Sequence, residues 1–252
     1  MFNLVDLSNK HIVITGASSG IGREVALLVN KLGAKVSLIG RKRDLLESLI
    51  QDLQGGENQF YEFDVTNFNE IDNLVSRIVA TNGLIDGFVH SAGIEMTRPL
   101  KMLKVEHYRE VFDINAISAL EITKSITKNC NISPNASIIY ISSIVGILGQ
   151  PGKTAYSASK GALIAAAKCL ALELAPKGIR VNTILPALVE TEMSSKILAS
   201  LSEEGKNNVL KMHPLGFGKP NDIANSAAFL LSSAAKWITG SEFLIDGGYS
   251  AS

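Results

Sequence analysis

The chain has 252 residues with 24 basic and 24 acidic side chains, a net charge of +0 and an isoelectric point of about 6.9. This length supports one sizeable core, and the balanced charge argues against nucleic acid or an anionic membrane surface as a partner. No apolar run approaches the roughly 18 residues of a membrane span. The first residues lack the charged and apolar regions of a signal peptide, so a cytoplasmic location is expected. Two cysteines and no cluster of histidines predict neither a disulfide framework nor a metal site.

Strand-like and helix-like segments alternate along the chain. Short apolar runs predict strands at residues 11–15, 35–39, 59–63, 85–90, 137–141, 179–184 and 242–245. Helical periodicity predicts helices at residues 24–32, 44–53, 67–80, 106–129 (bent near 113–115), 155–174 and 221–231. This alternation is typical of a parallel sheet covered by helices on both faces. We therefore predict one domain over residues 1–252, an α/β fold with a doubly wound, Rossmann-type parallel sheet of about seven strands.

A glycine-rich turn follows the first predicted strand. It reads Gly16-Ala17-Ser18-Ser19-Gly20-Ile21-Gly22 and leads into a helix, which is the context that a dinucleotide-binding turn requires. Gly16 allows the tight turn, Gly20 allows close approach of the pyrophosphate, and Gly22 allows the helix to pack on the strand. The helix N-terminus presents free N–H groups to the anion. Three glycines in an ordinary strand–helix turn are the alternative.

The end of the second predicted strand bears on the choice of cofactor. An acidic residue there would bind the ribose hydroxyls of NAD, but Gly40 occupies this position and Arg41 follows it. Because a guanidinium holds a phosphate bidentately, the pattern favours NADP(H) over NAD(H). The alternative is a solvated basic helix start in which Asp44 and Glu47 form a capping pair.

Three polar side chains lie in and before the helix predicted at 155–174. Tyr156 and Lys160 are four residues apart and share a helix face, and Ser143 lies thirteen residues before Tyr156. An ammonium group near a phenol lowers the pKa of the phenol, and a serine hydroxyl can hold the oxygen that receives the proton. The trio predicts interconversion of a ketone and a secondary alcohol by hydride transfer, with Tyr156 as acid and base. Ser142 is the rival hydroxyl, and a surface Tyr–Lys pair is the alternative.

These motifs occur together and in order, and the chain resembles a short-chain dehydrogenase/reductase over essentially its whole length. The similarity is greatest to 3-oxoacyl-carrier-protein reductase-like members. It is carried by the glycine turn, by the trio above, by Asn115 in a helix, by Ser91-Ala92-Gly93 and by the ending at 240–248. Two departures stand out: His90-Ser91 replaces an Asn-Asn pair, and Ala187 replaces the glycine after Pro186. We expect His90 to be a core-strand or strand-end residue rather than a catalytic base.

The resemblance implies further site residues and an assembly. Asp64 is expected to contact the adenine, Lys160 the nicotinamide ribose, and Asn115, as the fourth catalytic residue, a water that links Lys160 to solvent. The cofactor-binding residues that it implies, besides the glycine turn and Arg41, are Asp64, Val65, Ser91, Ala92, Gly93, Tyr156, Lys160, Pro186, Val189 and Thr191. Relatives of this kind usually form homotetramers, with a homodimer as the alternative.

The substrate is the least determined part of the prediction. Candidate lining residues are Glu95, Ile144, Val145, Gln150 and Met193, with Met96 and Leu188 nearby. Most are apolar, which favours a hydrophobic or medium-sized ketone or a 3-oxoacyl thioester on a carrier protein, with Lys177 as a basic contact. Glu95 instead favours a hydroxyl-rich sugar or polyol. A catalytically weak dinucleotide-binding regulator is a third alternative, which the complete set of four catalytic residues disfavours.

The longest irregular stretch covers residues 187–219. It begins where ligands bind in open α/β sheets, and glycine and proline break it into short pieces. Met193, Ile197, Leu198 and Leu201 have helical spacing, so we predict one short amphipathic helix within a substrate lid. A helix packed permanently on the body is the alternative.

Overall fold

The computed structural model describes residues 4–128, 130–199 and 201–251. One seven-stranded sheet runs through it in the order β3-β2-β1-β4-β5-β6-β7, and every pairing is parallel. The strands are β1 (His11–Thr15), β2 (Lys35–Gly40), β3 (Gln59–Glu62), β4 (Ile85–His90), β5 (Ile132–Ile141), β6 (Arg180–Pro186) and β7 (Glu242–Ile245). All seven predicted strands are confirmed, and β5 begins five residues earlier than predicted.

Helices connect the strands and cover both faces. They are α1 (Gly20–Lys31), α2 (Arg43–Asp52), α3 (Ile71–Asn82), α4 (Val105–Phe112), α5 (Ser118–Ile126), α6 (Thr154–Leu174), α7 (Glu192–Ala199), α8 (Glu203–Lys211) and α9 (Pro220–Leu231). The helix predicted at 106–129 is interrupted by a π-helical turn at Asp113–Ile117. The bend was therefore predicted in the right place, but the helix ends at Ile126 and residue 129 lies outside the described residues.

Two apolar cores lie on opposite faces of the sheet. Ile12 and Ile14 belong to the core under α1, α2 and α9, whereas Val13 belongs to the core under α3, α5 and α6. Neighbouring side chains of a strand point to opposite faces, so a strand buried on both faces needs an unbroken apolar run. This confirms the doubly wound fold. Within the described residues, no helix combines the length and apolar character of a membrane span.

The strand order reverses between β1 and β4, which are hydrogen-bonded neighbours in the middle of the sheet. In open α/β sheets this switch point opens a crevice at the carboxyl ends of the strands, where ligands bind. Thr15, His90, Ile141 and Pro186 end their strands at this edge. The fold thus collects the segments after β1, β4, β5 and β6, which carry most of the predicted site residues.

The stretch at 187–219 contains two helices, α7 and α8, where one was predicted. Its two ends are joined, because Glu190 N–H donates to Gly218 O at 2.8 Å and Gly218 N–H donates to Leu188 O at 3.0 Å. Helix α8 was missed because its sequence is polar and lacks an apolar stripe, and all its residues are at least partly exposed. Its start is fixed instead by Ser202, whose hydroxyl accepts from Gly205 N–H.

Candidate active site at the carboxyl edge of the sheet

The glycine turn is packed too tightly for side chains at two of its glycines. Gly16 has a φ of +65°, and a Cβ there would lie 2.7 Å from Ala92 N. A Cβ on Gly22 would lie 2.4 Å from Gly16 O. Ser19 precedes α1 with an extended backbone and makes no side-chain cap, so it leaves the N–H groups of Gly20 to Gly22 uncapped. A bare backbone cradle at a helix N-terminus fits a dinucleotide pyrophosphate.

Thr15 joins this turn to the segment after β4. Its hydroxyl oxygen accepts from Ser91 N–H and Ala92 N–H, both at 3.2 Å, and lies 3.0 Å from His90 Nδ1. Since both lone pairs are used, the single hydroxyl proton is donated to Nδ1, and neutral His90 carries its proton on Nε2. Burial, aided by the charge of Lys160, lowers the pKa of His90 to about 3. His90 is therefore a buried, neutral strand-end residue, in agreement with the sequence prediction.

Arg41 and Asp64 lie together beyond the ends of β2 and β3. Arg41 Nη1 is 3.8 Å from Asp64 Oδ2, and the guanidinium side chain is 64% exposed. Partial burial opposes ionisation of Asp64, but hydrogen bonds from Thr66 and the charge of Arg41 outweigh it and hold the pKa of Asp64 below its ordinary value. The Asp44–Glu47 capping pair does not form, because Glu47 binds Arg43 Nε at 2.7 Å. Asp64 is therefore the ion-pair partner of a largely exposed Arg41.

Helix α6 carries Tyr156 and Lys160 on one face. Lys160 Nζ lies 5.8 Å from the centroid of the Tyr156 ring and donates to Ile141 O at 2.8 Å. Burial lowers the pKa of Lys160 to about 8. A Cβ on Gly93 would lie 3.4 Å from Lys160 Nζ, so the absence of a side chain there leaves room for the ammonium group.

Ser143, and not Ser142, faces the tyrosine. Ser143 lies close enough to Tyr156 to lower the pKa of the phenol through its side chain, and its hydrogen bonds to Pro186 O and Val145 N are long at 3.4 Å. Ser142 is buried and donates to Lys160 O at 2.8 Å, which holds it away from the site. The structure therefore assembles the predicted trio of Ser143, Tyr156 and Lys160.

The acidity of Tyr156 differs from the sequence prediction. Burial raises its pKa to about 12, the hydrogen bond from Ser143 opposes this, and the negative charge of Glu95 reinforces it. The sequence predicted that the positive charge of Lys160 lowers the pKa of this phenol. In the structure the net shift is upward, because desolvation of the phenolate is the largest effect.

Asn115 clamps the segment after β4 to α6. Its side chain accepts from Ile94 N–H at 2.8 Å and donates to Ile94 O and to Ser159 Oγ, both at 3.0 Å. The π-helical turn places this amide inward, and it is completely buried. Asn115 therefore lies beside Lys160 and Tyr156 as predicted, and its hydrogen bonds show how it fixes Ile94; its role toward a water stays a prediction.

The remaining predicted residues divide into two groups. Ser18 lies beside Gly40, Thr191 beside Gly20 and Pro186 beside Ser143, and the side chains of Ile144, Val145, Val65 and Val189 are buried. Gln150 and Met193 are exposed, and none of the described contacts joins their side chains to the cluster.

The sequence prediction missed Lys153, which forms an ion pair with Glu95. Lys153 lies three residues before Tyr156, a helical spacing that places it on the same face and was available as a signal. Within the described ranges, no group of three or more His, Cys, Asp or Glu side chains could hold a metal ion.

Known proteins resemble this chain over nearly its full length. Residues 16–250 match the family described as enoyl-(acyl carrier protein) reductase. The chain is 37% identical to the 3-oxoacyl-[acyl-carrier-protein] reductase FabG of Thermotoga maritima, over 96% of this chain and 98% of that protein.

Solved structures of short-chain dehydrogenases/reductases also resemble this chain. A protein from Brucella melitensis, described as a short-chain dehydrogenase/reductase and glucose/ribitol dehydrogenase, superposes with a TM-score of 0.90 at 30% identity, over 97% of this chain and 98% of that one. A short-chain type dehydrogenase/reductase from Mycobacterium ulcerans superposes with a TM-score of 0.91 at 31% identity, over 98% of this chain and 91% of that one. The chain therefore belongs to the short-chain dehydrogenase/reductase family, whose members are oxidoreductases acting on CH–OH groups.

Proposed function

We propose that this protein is an NADP(H)-dependent oxidoreductase that interconverts a ketone and a secondary alcohol, with Tyr156 as the acid and base. The observation that carries the proposal is that Ser143 and Lys160 both lie next to one partly buried tyrosine at the switch point of the sheet. A bound nicotinamide would supply or accept the hydride. Gly16, Gly20 and Gly22 would hold its pyrophosphate, and Thr191 and Val189 would flank it.

The roles of the side chains follow from their protonation. With a pKa of about 12, Tyr156 holds its proton at neutral pH and is ready to donate it to a carbonyl oxygen as hydride reaches the carbon. Ser143 donates a second hydrogen bond to that oxygen and stabilises the developing alkoxide. The phenolate then regains a proton from solvent, with Lys160 and Asn115 beside it. The reverse reaction, oxidation of the alcohol, needs the phenolate as the base.

The preference for NADP(H) rests on Arg41. It follows Gly40 at the end of β2, is largely exposed, and has only a weak contact of 3.8 Å with Asp64. A 2′-phosphate placed there would receive charge-assisted hydrogen bonds from the guanidinium. Asp64, held ionised by Thr66 and Arg41, would contact the adenine.

The substrate that the relatives favour is a 3-oxoacyl thioester, since the curated relatives are named as reductases of that class. Lys177 does not support a carrier protein at the site, because it lies between α6 and β6, at the opposite edge of the sheet from Tyr156. The second candidate is a sugar or polyol, which the polar Glu95–Lys153 pair favours.

A panel of substrates tests the proposal. Oxidation of NADPH is followed by absorbance with simple ketones, 3-oxoacyl thioesters and keto sugars, and binding of NADPH is measured separately by fluorescence. Turnover of at least one ketone supports an enzyme. Tight NADPH binding with no turnover across the panel would favour the regulator instead.

The stretch at 187–219 is proposed as the substrate lid. It begins at the end of β6 beside Ser143, and its ends are tied by the Leu188–Gly218 hydrogen bond while Met193, Leu210 and Met212 remain exposed. Amide hydrogen exchange with and without NADPH and a substrate analogue tests this. A lid predicts protection across residues 191–212 that reaches about 100-fold with ligands at 100 times Kd. Equal protection in both samples would make the segment a fixed wall.

A homotetramer, or a homodimer, is proposed as the assembly. Leu172 on α6, Trp237 after α9 and Leu244 in β7 are 80%, 95% and 42% exposed, which is unusual for large apolar side chains of a monomer. Light scattering coupled to gel filtration distinguishes the assemblies, and a monomer at micromolar concentration would contradict the proposal. The cytoplasmic location stays a prediction.

A further inference from the structure

A second charged pair lies next to Tyr156. The Lys153 ammonium group pairs with the Glu95 carboxylate, their side chains are only 9% and 15% exposed, and Lys153 Nζ is 5.9 Å from the centroid of the Tyr156 ring. Lys153 precedes Tyr156 by about one helical turn and Lys160 follows it by about one turn. Because α6 begins at the carboxyl edge of the sheet, Lys160 lies toward the sheet and Lys153 toward the outer rim of the site.

The pair is held in a fixed position. Arg98 N–H donates to Gly152 O at 2.8 Å, which joins the segment after β4 to the start of α6. Thr97 Oγ1 donates to Glu95 Oε1 at 2.6 Å. Gly152 has a φ of +79°, and a Cβ there would lie 3.3 Å from Thr97 Cγ2. The two segments therefore meet closely, and the charges cannot move apart without breaking these contacts.

The pair has unused hydrogen-bonding capacity. Glu95 Oε1 accepts from Lys153 and Thr97, whereas no donor among residues 4–128, 130–199 and 201–251 reaches Oε2. Over the same ranges Lys153 Nζ has no acceptor besides Glu95. Two N–H groups and one carboxylate oxygen thus remain for a ligand. An alkyl group pressed against them would remove their water without replacing its hydrogen bonds, which is costly for buried charges.

We propose that the Glu95–Lys153 pair determines specificity by binding a second oxygen function of the substrate, one or two carbons from the reacting carbonyl. The substrate is accordingly an oxygenated ketone and not an isolated alkyl ketone. The thioester carbonyl of a 3-oxoacyl group is an acceptor for Lys153. A hydroxyl of a keto sugar both accepts from Lys153 and donates to Glu95. This inference rests on the proposed function and narrows its substrate class.

The test compares kcat/KM, in an NADPH-linked assay, for butanone, hydroxyacetone and acetoacetyl-N-acetylcysteamine. Butanone and hydroxyacetone are nearly isosteric and differ in the second oxygen. For wild type, kcat/KM should be about 10- to 150-fold higher for the oxygenated ketones than for butanone. This is the ratio expected from the free energy of one hydrogen bond to a charged group. Lys153→Met should reduce the preference for the thioester to nearly one and lower that for hydroxyacetone, whose hydroxyl can still donate to Glu95. Glu95→Gln should reduce the preference for hydroxyacetone and spare that for the thioester, which distinguishes the two sources of oxygen.

The ratio of kcat/KM for two ketones separates an effect on specificity from an effect on folding or on Tyr156. Any effect of the variants on Tyr156 or on folding changes all three ketones alike and cancels in the ratio. The double variant Glu95→Gln with Lys153→Met removes both charges, so it avoids an unpaired buried charge if Lys153→Met alone folds poorly. Lys168→Met is the matched control: it lies on the same helix and pairs with Glu242 at 2.6 Å on the surface, and it should leave both ratios unchanged.

Three results would overturn the inference. Equal kcat/KM for the three ketones in wild type, or wild-type ratios in the Lys153 variants, would overturn it while the proposed function stands. Turnover of none of the three, with NADPH bound, would overturn the proposed function and the inference together.

Discussion

At the glycine turn between β1 and α1 the chain packs backbone against backbone, whereas at the outer rim around Glu95 and Lys153 it joins segments through side chains. A Cβ on Gly22 would meet the Gly16 carbonyl at 2.4 Å. At the rim, by contrast, an ion pair connects Glu95 and Lys153, which are 58 positions apart in the chain, and the hydroxyl of Thr97 donates to the same carboxylate. Backbone packing requires particular residue types, and side-chain pairing does not.

This difference separates what the family shares from what distinguishes its members. The turn allows only glycine at its tightest points, so any chain that binds a dinucleotide in this way must carry the same pattern. The rim accepts many pairs of side chains without altering the path of the backbone, so its chemistry can change while the fold stays the same. Four predictions test this contrast, from the largest expected effect to the smallest.

The largest effect is expected at the tyrosine between the two regions. Tyr156→Phe removes only the hydroxyl, so turnover in the ketone assay should fall by about 10²- to 10⁴-fold, as for loss of a positioned acid. NADPH affinity, measured by fluorescence, should change little because the glycine turn is untouched. Turnover close to that of wild type would remove Tyr156 from the proposed mechanism.

The next effect concerns the cofactor side. Arg41→Ala should weaken NADPH binding by about 10- to 150-fold, because charge-assisted hydrogen bonds contribute about 1.5–3 kcal/mol. NADH, which has no 2′-phosphate, should bind as before. Lys236→Ala is the control, since it removes one positive charge from an exposed position between α9 and β7, at the opposite edge of the sheet. A wild-type protein that prefers NADH would contradict the assignment of Arg41.

The backbone packing of the turn can be disrupted by one methyl group. Gly22→Ala should lower the free energy of unfolding by about 1–3 kcal/mol, the usual cost of overpacking, because the new Cβ meets backbone atoms that cannot rotate away. Gly56→Ala is the matched control, since a Cβ there has nothing within 4 Å. Urea denaturation measures both, and equal stability of the two variants would refute the role of close packing.

The smallest effect is a pH dependence at His90, which joins the turn to the segment after β4. The pKa of His90 is about 3 in the folded chain and about 6.5 when unfolded. The unfolded state therefore binds more protons than the folded state below about pH 6.5. As the pH is lowered through this range, the free energy of unfolding falls by up to about 1.4 kcal/mol per pH unit. His90→Asn should remove this slope between about pH 6 and pH 5, whereas His11, whose pKa burial also lowers, contributes equally to both proteins. Identical slopes in urea denaturation would contradict the prediction.

Much of the fold was predictable because its signals are local. The apolar runs of β1 and β7, the glycine turn and the bend near Asn115 each lie within a few neighbouring residues. The predicted element boundaries were wrong where tertiary packing determines the ends of a strand or helix. The early start of β5 depends on its pairing with β4 at Ile85 and Ile132, and the polar helix α8 has a serine cap in place of an apolar stripe.

The sequence by itself determined the family, the doubly wound sheet and the trio of Ser143, Tyr156 and Lys160, because glycine sterics and helical spacing are properties of short segments. Only the tertiary structure decided the acidity of Tyr156, the clamp of Asn115 on Ile94 and the pairing of Glu95 with Lys153. Each of these depends on burial or on contact between distant segments. Desolvation and long-range contact arise only when the sheet brings its carboxyl ends together, and spacing along the chain does not encode them.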